Sequence, residues 1–200
     1  MSQRRQVTAA EILPLEDYNR KRPAKRREMV VLKARRRMEV GPFAMFNFEN
    51  YDTMWYQIHE MLAIEKGAEA QLKEELAAYN PLIPNGRELV ATVMFEIEDP
   101  VRRGRVLAQL GGVEHSAFLT VGGDRIVGQS EDDSERTRAD GKASAVQFVH
   151  FPFSPAQIEV FRRSGAQIVL GFDHPNYRHM AVMPDDVRRE LAADFEAPPA

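Results

Sequence analysis

From Phe48 to Pro84 apolar residues recur at helical spacing. Met54, Ile58, Met61, Leu62, Ala68, Leu72, Leu76 and Tyr79 fall on one face at roughly 3.6 residues per turn. Asn50, Asp52 and Thr53 offer N-caps, and Asn80-Pro81 ends the stretch. One residue breaks the stripe: at about 100° per residue, Glu65 projects into it between Met61 and Leu72. A carboxylate in that position must snorkel, be paired or stay protonated, because an unpaired buried charge is very costly. The pattern therefore predicts a buried Glu65 paired with a cation from residues 33–37.

Before this helix, Thr8 and Glu11 have capping-box spacing, and Pro14 limits that helix to about a turn. A second helix is expected from Pro23 to about Arg35, burying Met29, Val30 and Leu32 under a basic exterior. Residues 36–48 read as a short β-hairpin around Gly41-Pro42. After the Pro- and Gly-containing NPLIPNG boundary, Glu88–Glu98 alternates as a strand. Asp99-Pro100 opens a helix, Val113–Val121 is a strand, and Gly122-Gly123-Asp124 turns the chain into Arg125–Gln129. A polar loop over 130–142 leads to a strand at 143–151, a helix capped by Ser154, and a last strand at 166–172. A terminal helix begins at Pro184.

This order predicts an α+β chain with a ferredoxin-like split β-α-β sheet. The N-terminal hairpin and long helix over residues 1–84 form an added layer on an α/β sandwich over 85–200, the whole being one compact unit.

Composition narrows the chemistry. Apolar residues make up 44 % of the chain, enough for a substantial core, and the net charge of −3 argues against a uniformly basic nucleic-acid binder. Ten cations nevertheless crowd residues 20–37: Arg20, Lys21, Arg22, Lys25, Arg26, Arg27, Lys33, Arg35, Arg36 and Arg37. No aromatic stacking platform accompanies them, which weakens a nucleic-acid reading further. Lys25, Arg26 and Arg27 are the expected partner-binding face, and the acidic run at Glu131, Asp132, Asp133 and Glu135 is a second charged surface. There is no cysteine, so this chain makes no disulfide, thiolate nucleophile or thiolate-held cluster. The absence of an apolar leader or of a run near the ~18 residues of a membrane span suggests a cytoplasmic protein.

Two groups of polar residues carry candidate chemistry. Gln57, Glu60 and Glu65 on the long helix form a polar cluster for a ligand or metal, facing Arg35 to Arg37; the alternative is a structural ion pair. In the DHPNY stretch, Asp173 could orient His174 and Tyr177 could donate a hydrogen bond, or the same residues could close a turn before Pro175. The histidines have neither His-Glu-x-x-His nor Glu-x-x-His spacing, so no metal and no cofactor are expected.

LEDY (15–18), RRR (35–37), FEN (48–50), YQIHEM (56–61), ELAAYNPLIPNG (75–86), DRIV (124–127), KASAVQF (142–148) and DHPNYRH (173–179) together resemble a bacterial family, the domain of unknown function 3501, over nearly the whole chain. The resemblance implies no established activity. It does imply genes lying beside those of rubrerythrin-like di-iron proteins and iron–sulfur reductase-like proteins, an association with redox or peroxide metabolism. Two functions are thus expected. One is a non-catalytic accessory protein that binds a redox partner, rubrerythrin-like or iron–sulfur. The other is a small-molecule enzyme or sensor with a pocket between the long helix and the sheet, lined by Glu65, Arg36, His174 and Tyr177.

Overall fold

The computed structural model describes residues 4–65, 69–130 and 141–197. Its helices are α1 (Leu15–Ala34), α2 (Tyr51–Glu65), α3 (Glu69–Tyr79), α4 (Pro100–Ala108), α5 (Pro155–Arg162) and α6 (Asp185–Ala192). Its strands are β1 (Arg37–Val40), β2 (Ala44–Phe48), β3 (Glu88–Phe95), β4 (Ala117–Val121), β5 (Asp124–Val127), β6 (Gln129–Ser130), β7 (Val146–Pro152), β8 (Ile168–His174) and β9 (Tyr177–Val182). The acidic run at 131–135 lies outside the described residues.

The strands form two antiparallel sheets. Sheet A has the order β1-β2-β3-β7-β6, and sheet B the order β5-β4-β8-β9. This departs from the single split β-α-β sheet that the element order suggests. β3 and β4 are joined through α4 but pair in different sheets, and β7 and β8 do the same across α5. The hairpin β1–β2 is not an added layer either, since β2 pairs with β3 and extends sheet A. An element order fixes which segments are strands; their partners depend on which faces can be buried together, and these sheets bury theirs against each other. Phe46 of sheet A lies 5.1 Å, ring centre to ring centre, from Phe172 of sheet B, inside a core that also takes Leu89, Val93, Phe151, Leu119 and Leu170.

β3 explains the second layer. Leu89, Ala91, Val93 and Phe95 point into the core between the sheets. Val90, on the opposite face, joins a smaller core with Val7, Tyr51, Met54, Ile58, Leu82 and Ile83 beneath α2. Sheet A is therefore covered on both faces, by sheet B on one and by α2 and α3 on the other.

Local signals hold at several ends. Asp99 accepts a hydrogen bond from the Arg102 N–H and caps α4, while Ser154 and Gln157 form a capping box on α5. Gly122 and Gly123, at φ 60° and 93°, make the β4–β5 turn that only glycine adopts readily.

Helix α1 differs from its expectation. It starts at Leu15 and runs through Pro23, although an interior proline costs about 3 kcal/mol. Tertiary contacts offset that cost: Tyr18 and Arg22, before the proline, both bond Glu60 of α2, and Met29 is buried beyond it. Val30, expected in the buried stripe, is 65 % exposed. The long helix is also two elements, with α2 ending at Glu65 and α3 beginning at Glu69.

Candidate functional site

On the helix-facing side of sheet A the cover is incomplete, and a pocket of about 320 Å³ opens there. Cross-strand register builds its floor. Asn47, Thr92 and Phe148 are partners across β2, β3 and β7, and Met94 and Val146 make the next row. Met54 and Gln57 reach over it from α2, Tyr79 from the end of α3, and Leu82 from the short turn that follows. Lys33 and Glu96 complete the lining. The size is at the lower end of the ~300–1,000 Å³ typical of small-molecule pockets, and the mix of apolar wall with a few polar groups is also typical.

Glu49 is the distinctive member. It occupies the junction of β2 and α2 and is only 4 % exposed, yet its carboxylate lines the pocket. Thr92 donates to one carboxylate oxygen at 2.7 Å. Among the described residues no cation forms an ion pair with it. Its backbone is fixed from behind, because the Arg36 guanidinium donates to the Glu49 carbonyl at 3.1 Å. Beside it, the Gln57 amide reaches the Tyr79 hydroxyl at 3.5 Å. The arrangement offers a buried anionic acceptor, adjustable amide and hydroxyl partners, and an apolar wall.

Of the candidate residues from the sequence, only Gln57 lines this pocket. Glu65 is exposed and accepts from the Gln71 amide, so it is neither buried nor paired with residues 33–37. Glu60 is the paired carboxylate of α2. Arg22 clasps it with bonds of 2.9 and 2.8 Å, and the Tyr18 hydroxyl donates at 2.6 Å. Hydrogen bonds from Arg22 hold the Glu60 carboxyl below the usual range, and burial pushes the Tyr18 phenol up.

Arg36 is 1 % exposed and fully engaged. It donates to the carbonyls of Phe48 and Glu49 at 3.1 Å each, bonds the Asp194 carboxylate, and lies 3.6 Å from Glu190. Burial pushes the Asp194 carboxyl up, against the opposing pull of Arg36.

The DHPNY residues form a hairpin turn and bond within the chain. Pro175 and Asn176 make the turn between β8 and β9, a strand that the sequence reading leaves out. Asp173 faces Arg125 and Arg178 at 3.2 and 3.3 Å instead of orienting His174. The His174 ring accepts from the Asn176 N–H and donates to the Gly111 carbonyl. The Tyr177 hydroxyl accepts from the N–H groups of Phe43 and Ala44 and donates to the Val40 carbonyl, which clamps the β1–β2 turn. The enzyme site imagined from Glu65, Arg36, His174 and Tyr177 therefore has no common cleft. Among the described residues no group of three or more His, Asp or Glu is placed to hold a metal ion.

On α1, Arg26 and Arg27 are exposed beside Val30 and Val31, and the four line a shallow groove with Arg22 and Pro23. Lys25 is less free than its neighbours. It pairs with Glu28 at 2.6 Å and sits 5.9 Å from the Trp55 ring. No helix among the described residues is long and apolar enough to cross a membrane.

The pocket residue that sequence reasoning missed is Glu49. The available signal was its place in FEN, immediately after the alternating strand and before the Asn50 cap, where a carboxylate must follow the chain into the layer boundary. FEN supplies Glu49, YQIHEM supplies Gln57, and the AYNPLIPNG stretch supplies Tyr79 and Leu82.

The family model described as a protein of unknown function (DUF3501) matches residues 6–195. The crystal structure of a novel protein of unknown function from Burkholderia pseudomallei is similar, with a TM-score of 0.88 and 36 % identity, covering 96 % of this chain and 100 % of that one. A search of curated proteins finds no match. The chain belongs to the DUF3501 family.

Proposed function

We propose that this chain is a cytoplasmic small-molecule-binding protein, a sensor or an enzyme, whose ligand lies between the α2–α3 pair and sheet A. One observation carries the reading: Glu49 is 4 % exposed, faces a pocket of about 320 Å³, and among the described residues has a single side-chain donor, Thr92. A buried carboxylate is costly unless paired and hydrogen-bonded, so a ligand that satisfies it is a physical reason for its position. The wall supplies a built-in reporter. With methionine methyl groups labelled for NMR, a ligand should move the signals of Met54 and Met94 saturably, while Met180, 70 % exposed on β9, stays fixed. If no member of a fragment library moves Met54 and Met94, the pocket is not a binding site.

A second reading rests on α1. Over 20 residues this helix buries only Tyr18 and Met29, and it exposes Val30 and Val31 beside Arg26 and Arg27. An apolar centre rimmed by cations suits a protein partner with an acidic rim. In this reading the chain is an accessory protein, and its partner is the rubrerythrin-like or iron–sulfur protein that the family resemblance implies.

A further inference from the structure

We infer that the ligand of the Glu49 pocket carries a cationic nitrogen head, an ammonium or amidinium, on an apolar body. This inference rests on the pocket being a binding site. The head is argued from charge. Glu49 offers a buried acceptor-only group in the lining, and Glu96 adds a second carboxylate to it. An anionic ligand head would meet repulsion from both. A neutral hydroxyl would give Glu49 a hydrogen bond and leave its charge uncompensated. Among the described residues Lys33 is the one cation in the lining, and it makes no ion pair with Glu49. Asn47, Gln57 and the Tyr79 hydroxyl can take the remaining N–H groups of the head through their oxygens. The body is argued from the wall, where Met54, Leu82, Met94, Val146 and Phe148 offer an apolar surface with two adaptable thioethers.

The test is a matched probe series on the full chain. Phenyl, cyclohexyl and n-hexyl bodies are each given an ammonium, a hydroxyl and a carboxylate head on the same carbon spacing. Titrations follow the methyl signals of Met54 and Met94. The ammonium member of at least one body should bind about tenfold more tightly than its alcohol, the ratio expected when a neutral hydrogen bond becomes a charge-assisted one. The carboxylate should bind worst. Glu49→Gln, nearly isosteric, should erase the preference for ammonium over alcohol while leaving the alcohol's affinity within about threefold, since its hydrogen bond is kept. Because the head comparison is made on the unaltered chain, it stands even if the variant fails to fold. If alcohols or carboxylates bind as tightly as ammoniums, the pocket is a site and the cationic head is wrong. If no probe moves either methionine, the pocket reading itself falls.

Discussion

His59 shows how one side chain settles its own chemistry. It is 2 % exposed, and its Nε2 lies 3.0 Å from the Leu13 N–H, which can only donate. Nε2 must therefore be the unprotonated nitrogen, and Nδ1 donates to the Trp55 carbonyl at 2.8 Å. Protonation would set two donors against each other, and burial lowers the His59 pKa from 6.5. The unfolded chain takes up this proton as pH falls below about 6.5, while the folded chain resists it. His59 thus contributes stability that is full above that pH and is lost as pH falls through the folded-state value. Unfolding free energy should decline from pH 7 towards 5, and His59→Gln should flatten that decline. Equal slopes in denaturation series of the two proteins would remove His59 as the cause. Glu60, whose pKa is lowered from 4.5, contributes with the same sign at lower pH. The helical wheel assigns the buried carboxylate of this region to Glu65 because it carries one phase from Met61 through Leu72. That phase does not apply across two helices. The buried carboxylate that matters, Glu49, sits at a strand–helix junction, where no periodicity marks it.

At the scale of elements, capped and alternating segments were legible and partnerships were not. Asp99-Pro100, Ser154-Pro155 and Gly122-Gly123 act locally, through backbone N–H groups and backbone dihedral angles, so their meaning survives without tertiary context. β9 was not legible because its outward positions are Arg178, Met180 and Val182, so polarity does not alternate along it. Helix α1 was legible as basic and in its buried Met29, but not in its start or in the burial of Tyr18, which meets Glu60 together with Arg22. Its exposed face gives a testable element. Changing Lys25, Arg26 and Arg27 together to Ala removes two exposed cations and one pair with Glu28, so stability should stay within about 1 kcal/mol. If α1 docks the rubrerythrin-like or iron–sulfur partner proposed above, that association should weaken, and its rate should lose most of its salt dependence. Val30→Ser should weaken the same complex without altering the salt slope, because it removes apolar contact alone. An unchanged association rate at every ionic strength would place the docking face elsewhere.

At the scale of the molecule, Arg36 is where the chain's distant parts are tied together. It follows α1, holds the carbonyls of Phe48 and Glu49 where sheet A passes into α2, and reaches Asp194 just beyond α6. Arg36→Met would leave two carbonyls short of a donor and a 5 % exposed carboxylate without its cation. Breaking a buried pair from one side costs about 3–5 kcal/mol, and replacing both partners with apolar residues recovers much of it. Arg36→Met should therefore destabilise the chain by about that amount at neutral pH, and Arg36→Met with Asp194→Leu by clearly less. Burial already raises the Asp194 pKa in the intact protein, with Arg36 opposing, so removing Arg36 raises it further. A carboxyl whose folded-state pKa lies above its unfolded value stabilises at low pH and loses that contribution as pH rises through the folded value. The penalty of the single variant should accordingly shrink as pH is lowered from 7 towards 5, whereas that of the double variant should not follow this trend. Because Arg36 also fixes the backbone of Glu49, the single variant should shift the Met54 and Met94 methyl signals even without ligand. Denaturant unfolding at several pH values reads the first effect and NMR the second. A single variant within about 1 kcal/mol of the parent at pH 7 would overturn the tie, because loss of the two carbonyl bonds alone should cost more than that.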